Sequence, residues 1–242
     1  MRLDKYLANM GVGSRSEVKN YIRWHKVLVN GKPPKGPEQK IDEEKDVIVF
    51  AGREIGYQKN YYIMLHKPAG VITATEDKKD KTVLDFIDLP IKKQLFPVGR
   101  LDKDTEGLLI LTNDGQLSHN LLSPKKHVSK VYYAKIEGKV TIEDVEKFRE
   151  GLQIEEDFTA LPAELTIVKE DEISEVKIKI YEGKFHQVKR MFEAVGKKVL
   201  YLKRLSMGGL ALDENLVAGE YRELTEEEVL LLQEKGNNST RG

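Results

Sequence analysis

The 242-residue chain contains no cysteine. Disulfides, thiolate metal ligands and thiol redox centres are therefore excluded. Such a composition agrees with a reducing compartment. Long apolar runs are also missing, and none approaches the ~20 residues that a membrane helix needs. Met1-Arg2-Leu3-Asp4-Lys5 lacks the apolar core of a secretory leader. A soluble, cytoplasmic protein with no membrane contact is the expectation. No glycine-rich phosphate loop of the Walker or dinucleotide type occurs, and no Gly-X-Ser-X-Gly elbow. His119 and His127 lie eight residues apart with no carboxylate at ligand spacing, so no metal site is expected.

Net charge is missing too, with 40 basic against 40 acidic residues. Alone, that balance argues against nucleic acid, but the distribution reverses the argument. Residues 1–36 carry eight basic side chains against Asp4 and Glu17, a net +6, which leaves −6 for the rest of the chain. Such asymmetry suggests a nucleic-acid-binding module joined to something else. Leu3, Tyr6 and Leu7 mark a short amphipathic helix. Ser14 and Glu17 form a capping box that starts a second helix, with Val18, Tyr21 and Ile22 inward. Arg15, Lys19, Arg23 and Lys26 follow at steps of 4, 4 and 3, which predicts one stripe of cations along that helix. Aligned cations repel one another, and a polyanion relieves the repulsion while releasing counterions. A solvated face is the common reason for a charge run, but acidic residues are nearly absent here, which favours binding. Residues 27–29 read as a strand, Asn30-Gly31 as a tight hairpin turn and 47–50 as a closing strand.

Residues 96–115 are the densest stretch of signal. Gly99-Arg100-Leu101-Asp102 sets a carboxylate beside a guanidinium. Residues 108–111 are unbroken apolar, as in a strand buried on both faces. Asn113-Asp114-Gly115 ends it with a turn. Asp102 thus sits a few residues before a buried strand. A salt bridge to Arg100 is one explanation, and a chemical role is the other. Lys130 and Lys189 are further cations in comparable settings. Tyr132 shares a strand face with Ala134 and Ile136. Around 183–190, a glycine feeds a helix carrying Lys184, His186, Lys189 and Arg190. Phe185, Val188, Phe192 and Val195 are spaced to pack it on a sheet, which would leave Lys189 at the edge of the core. A partly buried lysine wants a carboxylate nearby.

Elsewhere, 61–65 and 176–180 read as strands, and 82–87, 116–122, 141–148 and 225–235 as helices. The stretch 51–59 looks like a linker and 236–242 like a disordered tail. Helices and strands alternate irregularly, so the expected fold is α+β. A small module at 1–50 precedes a mixed, largely antiparallel sheet domain over 60–232. No long exposed apolar seam asks for a partner subunit, so a monomer is expected.

Two resemblances follow. Arg2-Leu3-Asp4-Lys5-Tyr6-Leu7, Ser14-Arg15-Ser16-Glu17-Val18 and Val27-Leu28-Val29-Asn30-Gly31 resemble the S4 RNA-binding domain. Gly99-Arg100-Leu101-Asp102 through Asp114-Gly115, Lys130-Val131-Tyr132 and 183–190 resemble the motifs of pseudouridine synthases, in that family's order. The run Asp114-Gly115-Gln116-Leu117-Ser118-His119, with Ser123-Pro124 and His127, is most similar to the RsuA-type enzymes of small-subunit ribosomal RNA. His66 departs from the asparagine common before Lys67-Pro68-X-Gly70.

The resemblance implies uridine isomerisation with no cofactor. In it Asp102 is the catalytic carboxylate, Tyr132 stacks on the target base and aids proton removal at C5, and Lys189 pairs with Asp102. Arg100 would fill the space left by the departed base. Arg2, Arg15, Lys19, Arg23 and Lys26 would hold RNA through phosphates. The implied partner is ribosomal RNA, free or in an assembly intermediate. A large-subunit target and a non-catalytic assembly factor stay open as alternatives.

Overall fold

A computed structural model describes residues 1–43, 45–55, 60–156 and 158–237. The chain folds as two compact units, Met1–Asn60 and Tyr61–Gly242. In the first, α1 (Leu3–Asn9) and α2 (Arg15–Arg23) pack on a three-stranded antiparallel sheet of β1 (Val27–Val29), β2 (Ile48–Phe50) and β3 (Arg53–Ile55). Leu3, Leu7, Val18, Val27 and Ile48 form its core. The Ser14 hydroxyl accepts from Glu17 N–H while the Glu17 carboxylate accepts from Ser14 N–H, so the helix starts where its capping box sits.

Three expectations for this unit need correction. A third of the expected linker at 51–59 is strand, because Arg53–Ile55 pairs with β2; residues 56–59 lie outside the described residues. Lys26 is not on the helix. The chain leaves α2 at Trp24, and His25 turns it with φ +53°. Asn30 and Gly31 do make a tight turn with positive φ, but it closes only the Val29–Lys32 bridge, and the ladder partner of β1 is β2.

The second unit is built on one mixed sheet. Its elements are β4 (Tyr62–Lys67), β5 (Phe96–Pro97), β6 (Glu106–Thr112), α3 (Gly115–Leu122), β7 (Lys130–Glu137) and α4 (Ile142–Glu150). The hairpin β8 (Leu152–Glu155) and β9 (Phe158–Ala160) comes next, then β10 (Glu164–Lys169), β11 (Ile173–Ile180) and α5 (Gln187–Ala194). The long β12 (Lys198–Met207) is followed by β13 (Leu210–Ala211), β14 (Tyr221–Glu223) and α6 (Glu226–Asn237). Sheet order is β10-β11-β7-β12-β6-β4-β14, and among these neighbours only β12 and β6 run parallel. The helix α6 carries the unit past 232 and takes in the first residues of the expected tail; residues 238–242 lie outside the described residues.

The sheet is covered on both faces, which explains the unbroken apolar run at its centre. Leu109 and Leu111 face Phe148 of α4 and Phe192 of α5. Leu108 and Ile110 face Leu117 and Leu121 of α3 and Leu232 of α6. The parallel pairing of Gly107 with Arg204 joins the two halves of the sheet. A Cβ on Gly107 would come within 2.2 Å of the Arg204 carbonyl oxygen, so β6 can approach β12 there only as glycine.

One helix expectation fails. The α5 helix begins at Gln187, and His186 before it takes φ +49° and ψ +30°. Val188 and Phe192 reach the core as expected, but Phe185 stands outside the helix and 74% exposed.

Candidate active site

Asp102 lies in the loop that enters β6, and that loop is fastened on both flanks. Thr73 Oγ1 donates to the Leu101 carbonyl at 2.7 Å and accepts from Leu101 N–H at 3.1 Å. Lys67, fully buried at the end of β4, donates from Nζ to the carbonyls of Pro68 (3.0 Å), Lys103 (3.3 Å) and Thr105 (2.8 Å). Burial pushes the Lys67 ammonium down to about 8, against the opposing pull of Asp104, Asp102 and Glu106. The backbone just after Asp102 is therefore held by hydrogen bonds from one buried cation to two of its carbonyls.

Across from the loop stands the entrance to α5. Lys189 Nζ lies 3.5 Å from Asp102 Oδ2, and His186 Nε2 lies 3.6 Å from Asp102 Oδ1. The closer partner of Lys189 is Asp104, at 2.7 and 2.8 Å. Lys189 is thus shared between two carboxylates, where the sequence suggested only one. Burial works to raise the Asp104 carboxyl, but the hydrogen bond and charge of Lys189 outweigh it, and the net shift is down. The Asp104 carboxylate therefore stays ionised at neutral pH.

The floor of the cleft is the sheet. Tyr132 and Lys130 from β7, Ile180 from β11, and Leu202 and Arg204 from β12 line it together with Asp102. Lys130 and Tyr132 alternate inward on one strand, so a buried cation and an aromatic ring share one face of β7. Burial first, and the charge of Arg204 second, bring the Lys130 ammonium down to about 8. Its Nζ donates to the Val128 carbonyl at 2.9 Å. Arg204 is 2% exposed; Nε donates to the Leu108 carbonyl at 2.8 Å, while Nη2 has no partner among the described residues.

The structure therefore brings Asp102, Tyr132 and Lys189 to one cleft, and Arg100 is exposed on its rim. Arg15, Lys19, Arg23 and Lys26 are exposed in the other unit. Arg2 differs from them, because its guanidinium is engaged by Asp4 at 3.0 and 2.9 Å. Sequence reasoning missed Asp104, Lys67 and Arg204. Asp104 had a readable signal, since it repeats the carboxylate two residues after Asp102. His66 is buried in β4 with Nδ1 2.6 Å from the Leu216 carbonyl, so this departure from the usual asparagine serves the packing of β4.

Residues 61–194 match the RNA pseudouridylate synthase family, and residues 1–48 match the S4 domain. The chain belongs to the RNA pseudouridylate synthase family. As a pseudouridine synthase it is an isomerase. An uncharacterized RNA pseudouridine synthase of Bacillus subtilis (strain 168) is 48% identical over 97% of this chain and 99% of its own length. The ribosomal small subunit pseudouridine synthase A of Escherichia coli (strain K12) is 41% identical over 95% and 98%. A pseudouridylate synthase of known crystal structure superposes with a TM-score of 0.69 at 38% identity, covering 96% of this synthase and 99% of that chain.

Proposed function

We propose that this synthase converts a uridine of small-subunit ribosomal RNA to pseudouridine in the cytoplasm, with Asp102 as the catalytic carboxylate. The observation that carries the reading is the convergence of Asp102 and Lys189, 3.5 Å apart, over a cleft that Tyr132 also lines. The small-subunit target is supported by the named Escherichia coli relative. The N1–C1′ bond of the uridine breaks, the freed uracil turns within the cleft, and a C5–C1′ bond forms as the C5 proton leaves and N1 takes up a proton in its place. Asp102 acts on the ribose in the first step. Lys189 orients that carboxylate, with Asp104 holding the ammonium as well. Tyr132 gives the loosened uracil a flat wall and assists loss of the C5 proton. No step needs a metal or an electron carrier, only geometry held while one bond is exchanged for another. Arg100 on the rim fills the gap left by the extruded base. Arg15, Lys19, Arg23 and Lys26 grip phosphates, which sets affinity but not chemistry.

The test is tritium release from small-subunit ribosomal RNA labelled at uridine C5. Asp102→Asn is expected to lower the rate by about 10³-fold or more while RNA binding stays near wild type. Pseudouridine mapping in cells with and without the protein should show one small-subunit site lost. Full activity in the variant, or loss of a large-subunit site only, overturns the reading.

A further inference from the structure

The turn ahead of α5 holds a large apolar side chain in solvent, one residue before the His186 that approaches Asp102. Phe185 is 74% exposed, more than any other large apolar side chain among the described residues. Its position is fixed by the turn. Buried Gln187 accepts from Lys184 N–H through Oε1 at 2.9 Å and donates through Nε2 to Glu182 at 2.7 Å. The Lys184 carbonyl accepts from Gln187 N–H at 3.2 Å, and the Phe185 carbonyl accepts from Arg190 Nη1 at 3.3 Å. His186 completes the turn in a left-handed conformation that costs a non-glycine residue energy. Strain of this kind persists where the surroundings over-determine it, and it gathers at functional sites.

The phenyl ring of Phe185 lies flat on the imidazole of His186, with centroids 3.7 Å apart and planes at 18°. The Nε2 edge of that imidazole reaches the reactive centre, through its 3.6 Å approach to Asp102. Among the described residues no other ring or cation stacks on Phe185. His186, on which this ring lies, lines a cleft with three cations: Lys184 and Arg100, both exposed, and Lys189. A lone aromatic set among cations suits a nucleic acid base and its phosphates better than an apolar protein surface.

We propose that Phe185 and His186 form a two-ring platform on which a nucleotide flanking the target uridine stacks. The platform replaces the neighbour that this nucleotide loses when the uridine leaves the helix. The inference rests on the proposed function in taking the uridine and its RNA as substrate. It assigns Phe185 to holding the flank, one imidazole away from the carboxylate that works on the ribose.

The experiment compares wild type, Phe185→Ala and Phe185→Trp on two synthetic RNAs carrying the mapped target uridine with tritium at C5. One RNA is intact, and the other is abasic at the flanking position. Stacking on an aromatic side chain corresponds to about 5- to 150-fold. Phe185→Ala should therefore lose about tenfold or more in kcat/KM on the intact RNA and be within about threefold of wild type on the abasic one. Phe185→Trp should stay within about threefold of wild type on both. Equal losses on both RNAs mean that the side chain only shapes the turn, and overturn the platform. So does an unchanged rate on the intact RNA, or a change confined to oligomeric state, which would mark a face for a second copy. If wild type releases no tritium from either RNA, the proposed function fails. The platform is then still decided by 2-aminopurine at the flanking position, whose fluorescence wild type should quench and Phe185→Ala should not.

Discussion

The cleft around Asp102 and the exposed face of α2 both present cations, and they present them in opposite ways. In the cleft, Lys189 is shared between two carboxylates, and Lys67 and Lys130 are buried on backbone carbonyls. On α2, Arg15, Lys19 and Arg23 are exposed, and none forms an ion pair among the described residues. A cation that must orient a carboxylate needs fixed partners and is desolvated by them. A cation that meets phosphates needs only to be present and hydrated until RNA arrives. The two regions therefore respond to substitution through different observables: rate and stability for the cleft, salt-dependent affinity for the helix.

The sharpest way to break this contrast is Lys189→Met. It leaves Asp102 and Asp104 facing each other without their shared cation. The rate of pseudouridine formation should fall by about 10²-fold or more, with RNA affinity nearly unchanged, and Lys189→Arg should recover part of it. Single-turnover rates and binding at two salt concentrations separate the cases. A loss of affinity with a preserved single-turnover rate would make Lys189 one more phosphate ligand and erase the distinction.

Lys67 probes the same region through stability. Lys67→Met leaves the carbonyls of Pro68, Lys103 and Thr105 without their donor in a dry site, at a cost of about 2–4 kcal/mol. Thermal unfolding should show the loss at pH 7. The pH dependence has a definite sign. The folded-state ammonium titrates at about 8 instead of 10.5, so between those values the unfolded chain binds more protons and the wild type gains stability as pH rises. The variant lacks that gain. A Tm difference that does not grow between pH 8 and 10 would mean that Lys67 is less desolvated than its position implies.

The same contrast governs what could be read from the sequence. Residues 108–111 announced themselves because a central strand buried on both faces must be apolar at every position. The shared face of Tyr132, Ala134 and Ile136 was legible for a different reason, because a strand with one buried face repeats every second residue. The strand β12 was not, because its pairing with β7 shifts register between Val199 and Tyr201 and again between Arg204 and Ser206. Bulges of this kind break the period of two on which the reading depends. The β8–β9 hairpin hides behind a similar shift between Gln153 and Glu155. Phe185 misled because 185, 188, 192 and 195 fit a helical face, while the break before Gln187 is made by a histidine with positive φ and no glycine marks it. Lys67 gave no pattern at all, since a buried lysine is identified by the carbonyls around it, and two of its three come from a segment 36 to 38 residues away.

The smallest effects belong to α2, and there the molecule supplies its own control. Arg15, Lys19 and Arg23 form no ion pair among the described residues, whereas Arg2 is already neutralised by Asp4, whose carboxyl is held down by that hydrogen bond. If exposed cations of this unit neutralise phosphates, changing Arg15, Lys19 and Arg23 together to Gln should reduce the slope of log Kd against log salt by about 2–3, roughly 0.7–0.9 for each phosphate that is no longer neutralised. Arg2→Gln should change the slope by much less, because binding there would first have to displace an internal carboxylate. Neither set should alter the single-turnover rate once RNA is saturating. An equal change in slope for Arg2→Gln would show that charge counts wherever it sits in this unit, and that the pairing with Asp4 opens when RNA binds.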